Sequence, residues 1–146
     1  MRDTGRVVSQ NNVELVRRVF DASARRDVAT ILSLYDPGVE WEAAHGLLMS
    51  GRYHGHEGLR RFWREWYGIW QNVEDTLEEL IDAGEHVISV VKNRGRGRAS
   101  GADVEWTQYA LWTIRDGKVV RVLWFRTREE AFEAAEQRRA PRGRDR

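Results

Sequence analysis

The chain is 146 residues long with 24 basic and 23 acidic residues, so it is one domain by size and lacks the broad cationic surface that nucleic acid or an acidic membrane would need. It has no cysteine, which excludes disulfides and thiolate metal sites and suits a reducing cytoplasm. Its seven tryptophans must either fill a core or line something.

No stretch reads as a secretion leader or reaches the length of a membrane span, so the expected setting is cytoplasmic, with no membrane partner. Residues 1–10 read as a flexible N-terminus. "NNVELVRRVFDASARRD" places apolar residues at 13, 15, 16, 19, 20 and 22, which is helical spacing, and Asn11 or Asn12 can cap it. Asp27 can cap a second helix, "VATILSLY", which "DPG" at 36–38 stops. "VEWEA" reads as a short strand and "AHGLLMSGRY" as a loop. A third helix is expected from Glu57 to Gln71, with Leu59, Phe62, Trp63, Trp66 and Trp70 on one face and Arg60, Arg64, Gly68 and Gln71 opposite.

After Gln71 the period changes to two, and Asp116-Gly117 marks a hairpin turn in what reads as an antiparallel meander. "REEAFEAAEQRR" closes the domain as a helix, and residues 137–146 read as a disordered basic tail. A single α+β domain over residues 11–136 follows. His54 and His56 form an H-x-H pair, but two imidazoles do not make a metal site, and no metal or other cofactor is expected. Arg94, Arg96 and Arg98 in "RGRGR" run into the turn signal Ser100-Gly101, and read as a solvated hairpin end rather than an RNA-binding run.

The segments "NVELVRRVFDASARRDVATILSLYDPGVEWE", "YHGHEGLRRFW", "EELIDAGEHVISVV" and "WTIRDGKVVRVLWFRTREEAFEAA" together resemble a SnoaL-like protein of the nuclear transport factor 2 superfamily, from about Asn11 to Glu136. The resemblance implies a cone-shaped, curved antiparallel sheet wrapped around three N-terminal helices, with a C-terminal helix and an apolar pocket open at one end. It also implies a homodimer formed through the outer sheet face, where Thr107, Tyr109, Leu111, Thr113, Leu123 and Phe125 are expected. Superfamily members include isomerases, cyclases, hydrolases and non-catalytic binding proteins, and the fold alone does not choose among them.

Position by position, the match to any one enzyme is incomplete. The isomerases' carboxylate base falls at Glu42, but their two oxyanion-holding positions read Val19 and Ala110. The late strands carry neither the inward aspartates of the epoxide hydrolases nor the aspartate and histidine of the cyclases.

With Ala110 inward, alternation turns Trp106, Gln108 and Trp112 inward as well, and Trp124 and Arg126 on the following strand. Trp41, Tyr53, Trp63 and Trp66 complete an aromatic funnel with Glu42, His45, Gln108 and Arg126 as its polar tips. Such a concavity suits a small hydrophobic ligand, unless the tryptophans simply fill the cone. Two functional readings stay open: acid–base catalysis of the isomerase, cyclase or hydrolase kind by Glu42 and His45, or ligand binding without chemistry. Their discriminator is Glu42. Pointing into the pocket without an arginine partner favours catalysis, and pairing at the surface favours binding.

Overall fold

The computed structural model describes residues 2–43 and 51–138, with the first helix's side chains from Gln10 onward. His45 and the expected basic tail at 139–146 lie outside the described residues. The order is α1 (Arg2–Ala24), α2 (Val28–Leu34), β1 (Tyr35–Glu42), β2 (Arg52–His54), α3 (Gly55–Ile69), β3 (Trp70–Ala83), β4 (His86–Gly97), β5 (Asp103–Arg115), β6 (Lys118–Phe125) and α4 (Arg128–Gln137). The first helix thus starts at Arg2 rather than at Asn11, and Trp70 and Gln71 belong to a strand rather than to the third helix.

Local chemistry accounts for the boundaries. Asp27 caps α2 by accepting from the Thr30 amide and hydroxyl. Thr127 and Glu130 form a reciprocal capping box at the start of α4. Asp116 and Gly117 both have positive φ, 52° and 74°, as a two-residue hairpin turn requires. Helix α2 ends at Leu34, just ahead of "DPG", which lies inside β1 where the pairing with β6 shifts register between Tyr35 and Glu40.

The six strands lie in the order β2-β1-β6-β5-β4-β3. The sheet is mixed rather than wholly antiparallel: β1 runs parallel to β6, with Trp41 opposite Val122. Periodicity reports which face a residue occupies but not which distant strand it joins, so the direction of this pairing was not legible locally. Register shifts in β3, at Trp70/Asn72 and Leu77/Glu79, are bulges of the kind that bend a sheet.

Helices α1 and α3 pack on one face of the sheet, where Val16, Val19, Leu59, Trp66, Val87, Ala110, Trp112 and Val122 form the main core. The other face carries a second cluster, in which Ile88, Leu111, Leu123 and Phe125 lie under Ala131 and Ala134 of α4. This corrects the dimer argument: Leu111, Leu123 and Phe125 are buried within the chain by its own last helix, so they offer no exposed patch to a partner.

The "RGRGR" run is absorbed into the fold. Arg94 pairs across the strands with Glu105 at 3.2 Å and Arg96 with Asp103 at 2.9 Å. Arg98 donates to the carbonyls of Gly68 and Trp70 at 3.2 and 2.7 Å, supplying the cation that the C-terminal turn of α3 lacks. Gly95 must be small, since a Cβ there would stand 2.8 Å from the Trp70 ring.

Candidate functional site

Between α1, α3 and the inner sheet face lies a cavity of about 80 Å³. Alternation along β1 turns Trp41 and Ala43 towards it, β5 contributes Gln108 and Trp112, and β6 contributes Trp124. Phe62, Trp63 and Trp66 enter from α3 at spacings of one and four, so they share one helical face. The rings pack in sequence. Trp41 stacks on Trp124 at 5.8 Å between centroids and meets Phe62 at 4.7 Å, and Phe62 stacks on Trp66 at 5.9 Å. Trp112 closes the inner end, its indole N–H donating to the buried Ser89 hydroxyl at 2.9 Å.

Six of the residues expected at the site are therefore brought together: Trp41, Trp63, Trp66, Gln108, Trp112 and Trp124. Trp106 lies behind this wall, stacked on Trp70 at 5.2 Å. Tyr53 is a buttress rather than a lining residue. Its ring meets Phe62 edge-on at 5.2 Å, and its hydroxyl donates to Glu65 at 2.9 Å. Arg126 is exposed and sits beyond β6, where its backbone N–H donates to Glu130 as part of the α4 cap.

Glu42 faces the other way. It follows Trp41, so it lies on the opposite face of β1, in a surface recess with Glu40, His54 and Arg121. Arg52, its neighbour across β2, stands 3.8 Å from its carboxylate. By the discriminator set out above, that geometry argues against Glu42 as a base inside the cavity. Near the H-x-H pair, His56 Nε2 lies 3.0 Å from the Tyr35 carbonyl oxygen. Among the described residues no three His, Asp or Glu side chains gather as metal ligands would.

Besides Gln108, the polar residues that line the cavity are Ser23 of α1, Tyr67 of α3, Asp75 of β3 and Asn93 of β4. The last two are register partners, and the Asn93 side-chain amide donates to the Asp75 carboxylate. Asp75 is exposed as a residue, at the rim, but the carboxyl that meets buried Asn93 is partly shielded. Removal of water there raises its pKa above the usual 3.8, against the opposing pull of the Asn93 amide and the Arg26 charge. Asp75 did not stand out in the sequence, yet a signal existed: Val73, Asp75 and Leu77 are in phase at period two.

Three buried polar atoms of cavity-lining residues have no hydrogen-bond partner among the described residues: the indole nitrogens of Trp41 and Trp124 and the side-chain oxygen of Asn93. In most proteins such groups are satisfied. Here two donors and one acceptor belong to residues of a largely aromatic enclosure.

A mixed sheet filled by N-terminal helices around an aromatic cavity defines the nuclear transport factor 2-like class of α+β protein. The SnoaL-like domain family matches residues 16–122, and the chain belongs to that family. Among solved structures it is similar to a nuclear transport factor 2-like protein of Burkholderia thailandensis E264, with 28% identity, TM-score 0.74, and 86% of this chain and 97% of that chain covered. It is also similar to TerC co-crystallised with polyporic acid, at 24% identity and TM-score 0.71, over 86% and 98% of the two chains. A provisionally assigned SnoaL-like polyketide cyclase of Jannaschia sp. CCS1 matches at 23% identity and TM-score 0.67, over 90% and 94%. The last two likenesses show the fold alone. No curated protein matches the sequence. Among the described residues no helix is long and apolar enough to cross a membrane.

Proposed function

We propose that the chain holds a small, ring-containing hydrophobic molecule in the aromatic cavity, and that the ring carries oxygens. The observation that supports this is the set of unpartnered indole N–H groups of Trp41 and Trp124 and the Asn93 oxygen, in residues lining a largely aromatic wall. Carbonyl or hydroxyl oxygens on a flat ring would complete those hydrogen bonds, while the indole faces supply apolar contact. Co-crystallisation of TerC with polyporic acid supports a ligand-holding role for this fold. At about 80 Å³ the cavity is smaller than the roughly 300–1,000 Å³ of ordinary ligand sites, so a ligand needs half-buried Trp63 and Tyr67 to move aside. The test is a fluorescence titration with 2-naphthol. Saturable quenching that Trp124→Ala weakens by roughly tenfold or more is the expected result, and quenching that is non-saturable and unchanged in the variant rejects the reading.

Acid–base chemistry is the second reading, and a different residue from Glu42 supports it. Asp75 is the carboxylate at this cavity, and its raised pKa brings it nearer the range useful to a base or acid at neutral pH. With a turned-over substrate in hand, Asp75→Asn is expected to lower turnover by roughly 10²–10⁴-fold, and Glu42→Gln to leave it within about twofold. The reverse pattern would restore Glu42 and displace Asp75.

A further inference from the structure

Outside the aromatic wall runs a second, larger concavity of about 660 Å³, between α3 and the α1–α2 corner. Ser23, Trp63 and Tyr67 line both spaces, so the two are separated by little more than these side chains. The outer groove is apolar along Val28, Ile31, Trp63 and Tyr67, and Val28 is 44% exposed. Among the described residues its charges are all of one sign: Arg26, Arg60 and Arg64 line it, and no acidic residue does. Among the described residues Arg60 and Arg64, both exposed, make no ion pair, although acidic side chains pair with arginines elsewhere on the surface.

Arg26 is placed at a local cost. It ends α1 in a left-handed conformation, φ 57°, that favours glycine. Two hydrogen bonds hold that ending, from the Arg26 amide to Ser23 at 3.0 Å and from the Asp27 amide to Ala22 at 2.9 Å. Glycine would relieve the backbone but would remove the guanidinium that lies 4.3 Å over the Tyr67 ring, at the junction of the two spaces.

We infer that the ligand is an amphiphilic acid: its ring enters the inner cavity past Trp63 and Tyr67, and its carboxylate stays in the outer groove among Arg26, Arg60 and Arg64. This rests on the reading of the inner cavity as a ring-binding site, and adds the chemical class of what is bound. Guanidinium groups match carboxylate geometry, and an apolar groove floor suits the linker between ring and charge.

The experiment is calorimetric titration of the full chain with 6-phenylhexanoate and with 6-phenylhexan-1-ol, which share ring and tether and differ only in the terminal group. The acid should bind roughly five- to tenfold more tightly at low salt, an advantage that shrinks as ionic strength rises to about 0.3 M. In the Arg60→Gln/Arg64→Gln variant, exposed positions whose melting temperature serves as the folding control, that advantage should fall below about twofold with binding of the alcohol unchanged. Equal affinity for acid and alcohol in the unaltered chain overturns the inference while leaving the ring-binding reading intact. An acid preference that survives in the double variant overturns the assignment to Arg60 and Arg64. Absence of binding by either probe while 2-naphthol still binds overturns the inference alone, and absence of binding by all three overturns both readings together.

Discussion

At residue resolution Asp75 carries the most consequence. A carboxyl whose folded pKa is raised binds its proton more readily in the folded than in the unfolded chain, so it detracts from stability once pH passes above its folded pKa. Below the ordinary 3.8 both states are protonated and the penalty vanishes. Asp75→Asn is therefore expected to melt at or above the temperature of the unaltered chain at neutral pH, with the gap narrowing as pH falls through the raised folded pKa and closed below 3.8. Thermal melts of both proteins across that range decide it; a variant that is less stable at neutral pH means Asn93 and Arg26 outweigh desolvation. A residue that gains stability on replacement yet sits at a cavity is the usual mark of a functional group. Glu42 shows the opposite case, a carboxylate at the expected sequence position whose strand parity turns it towards Arg52 and away from the cavity.

Among elements, α4 decides what the outer sheet face can do. Its capping box fixes where it starts, and Ala131 and Ala134 let it approach Leu111, Leu123 and Phe125 closely. Ala131 is fully buried, so Ala131→Asp would force a carboxylate into an apolar contact and undock the helix. A loss of at least about 2 kcal/mol in denaturant unfolding is expected, together with a light-scattering mass above that of the unaltered protein as the uncovered patch associates. A variant of unchanged stability and mass would mean that α4 is not what shields the face. The outer-face alternation on β5 and β6 was legible, but its consequence was not. The same apolar residues serve equally for a partner chain or for the chain's own last helix, and only the path of the loop at Arg126–Thr127 settles which.

For the molecule as a whole, acid sensitivity follows from His86. It is buried, and desolvation lowers its pKa below the ordinary 6.5, against the raising influence of Glu85. The unfolded chain then takes up a proton first, so the stability associated with neutral His86 is complete above 6.5 and is lost as pH falls below it towards the folded pKa. Melting temperature should drop between about pH 7 and pH 5, and a His86→Gln variant should show a smaller drop over the same window. An unaltered slope in the variant would move the effect to another group. The opposite signs of His86 and Asp75 make the two separable in a single pH series.

The sequence by itself determined the fold class, three of the four helices to within a few residues and most of the cavity's aromatic lining, because burial leaves a period of 3.6 or 2 in the chain and a tryptophan in phase with it has only one face to occupy. The family pattern likewise survives in the chain from residue 16 to residue 122. Only the tertiary structure decided that β1 joins β6 in parallel, that Glu42 turns outward, that Asp75 and Asn93 meet across neighbouring strands, and that three arginines line the outer groove. Each of these depends on which distant segments become neighbours. That is set by the packing free energy of the whole chain and leaves no mark on the local spacing of any one segment.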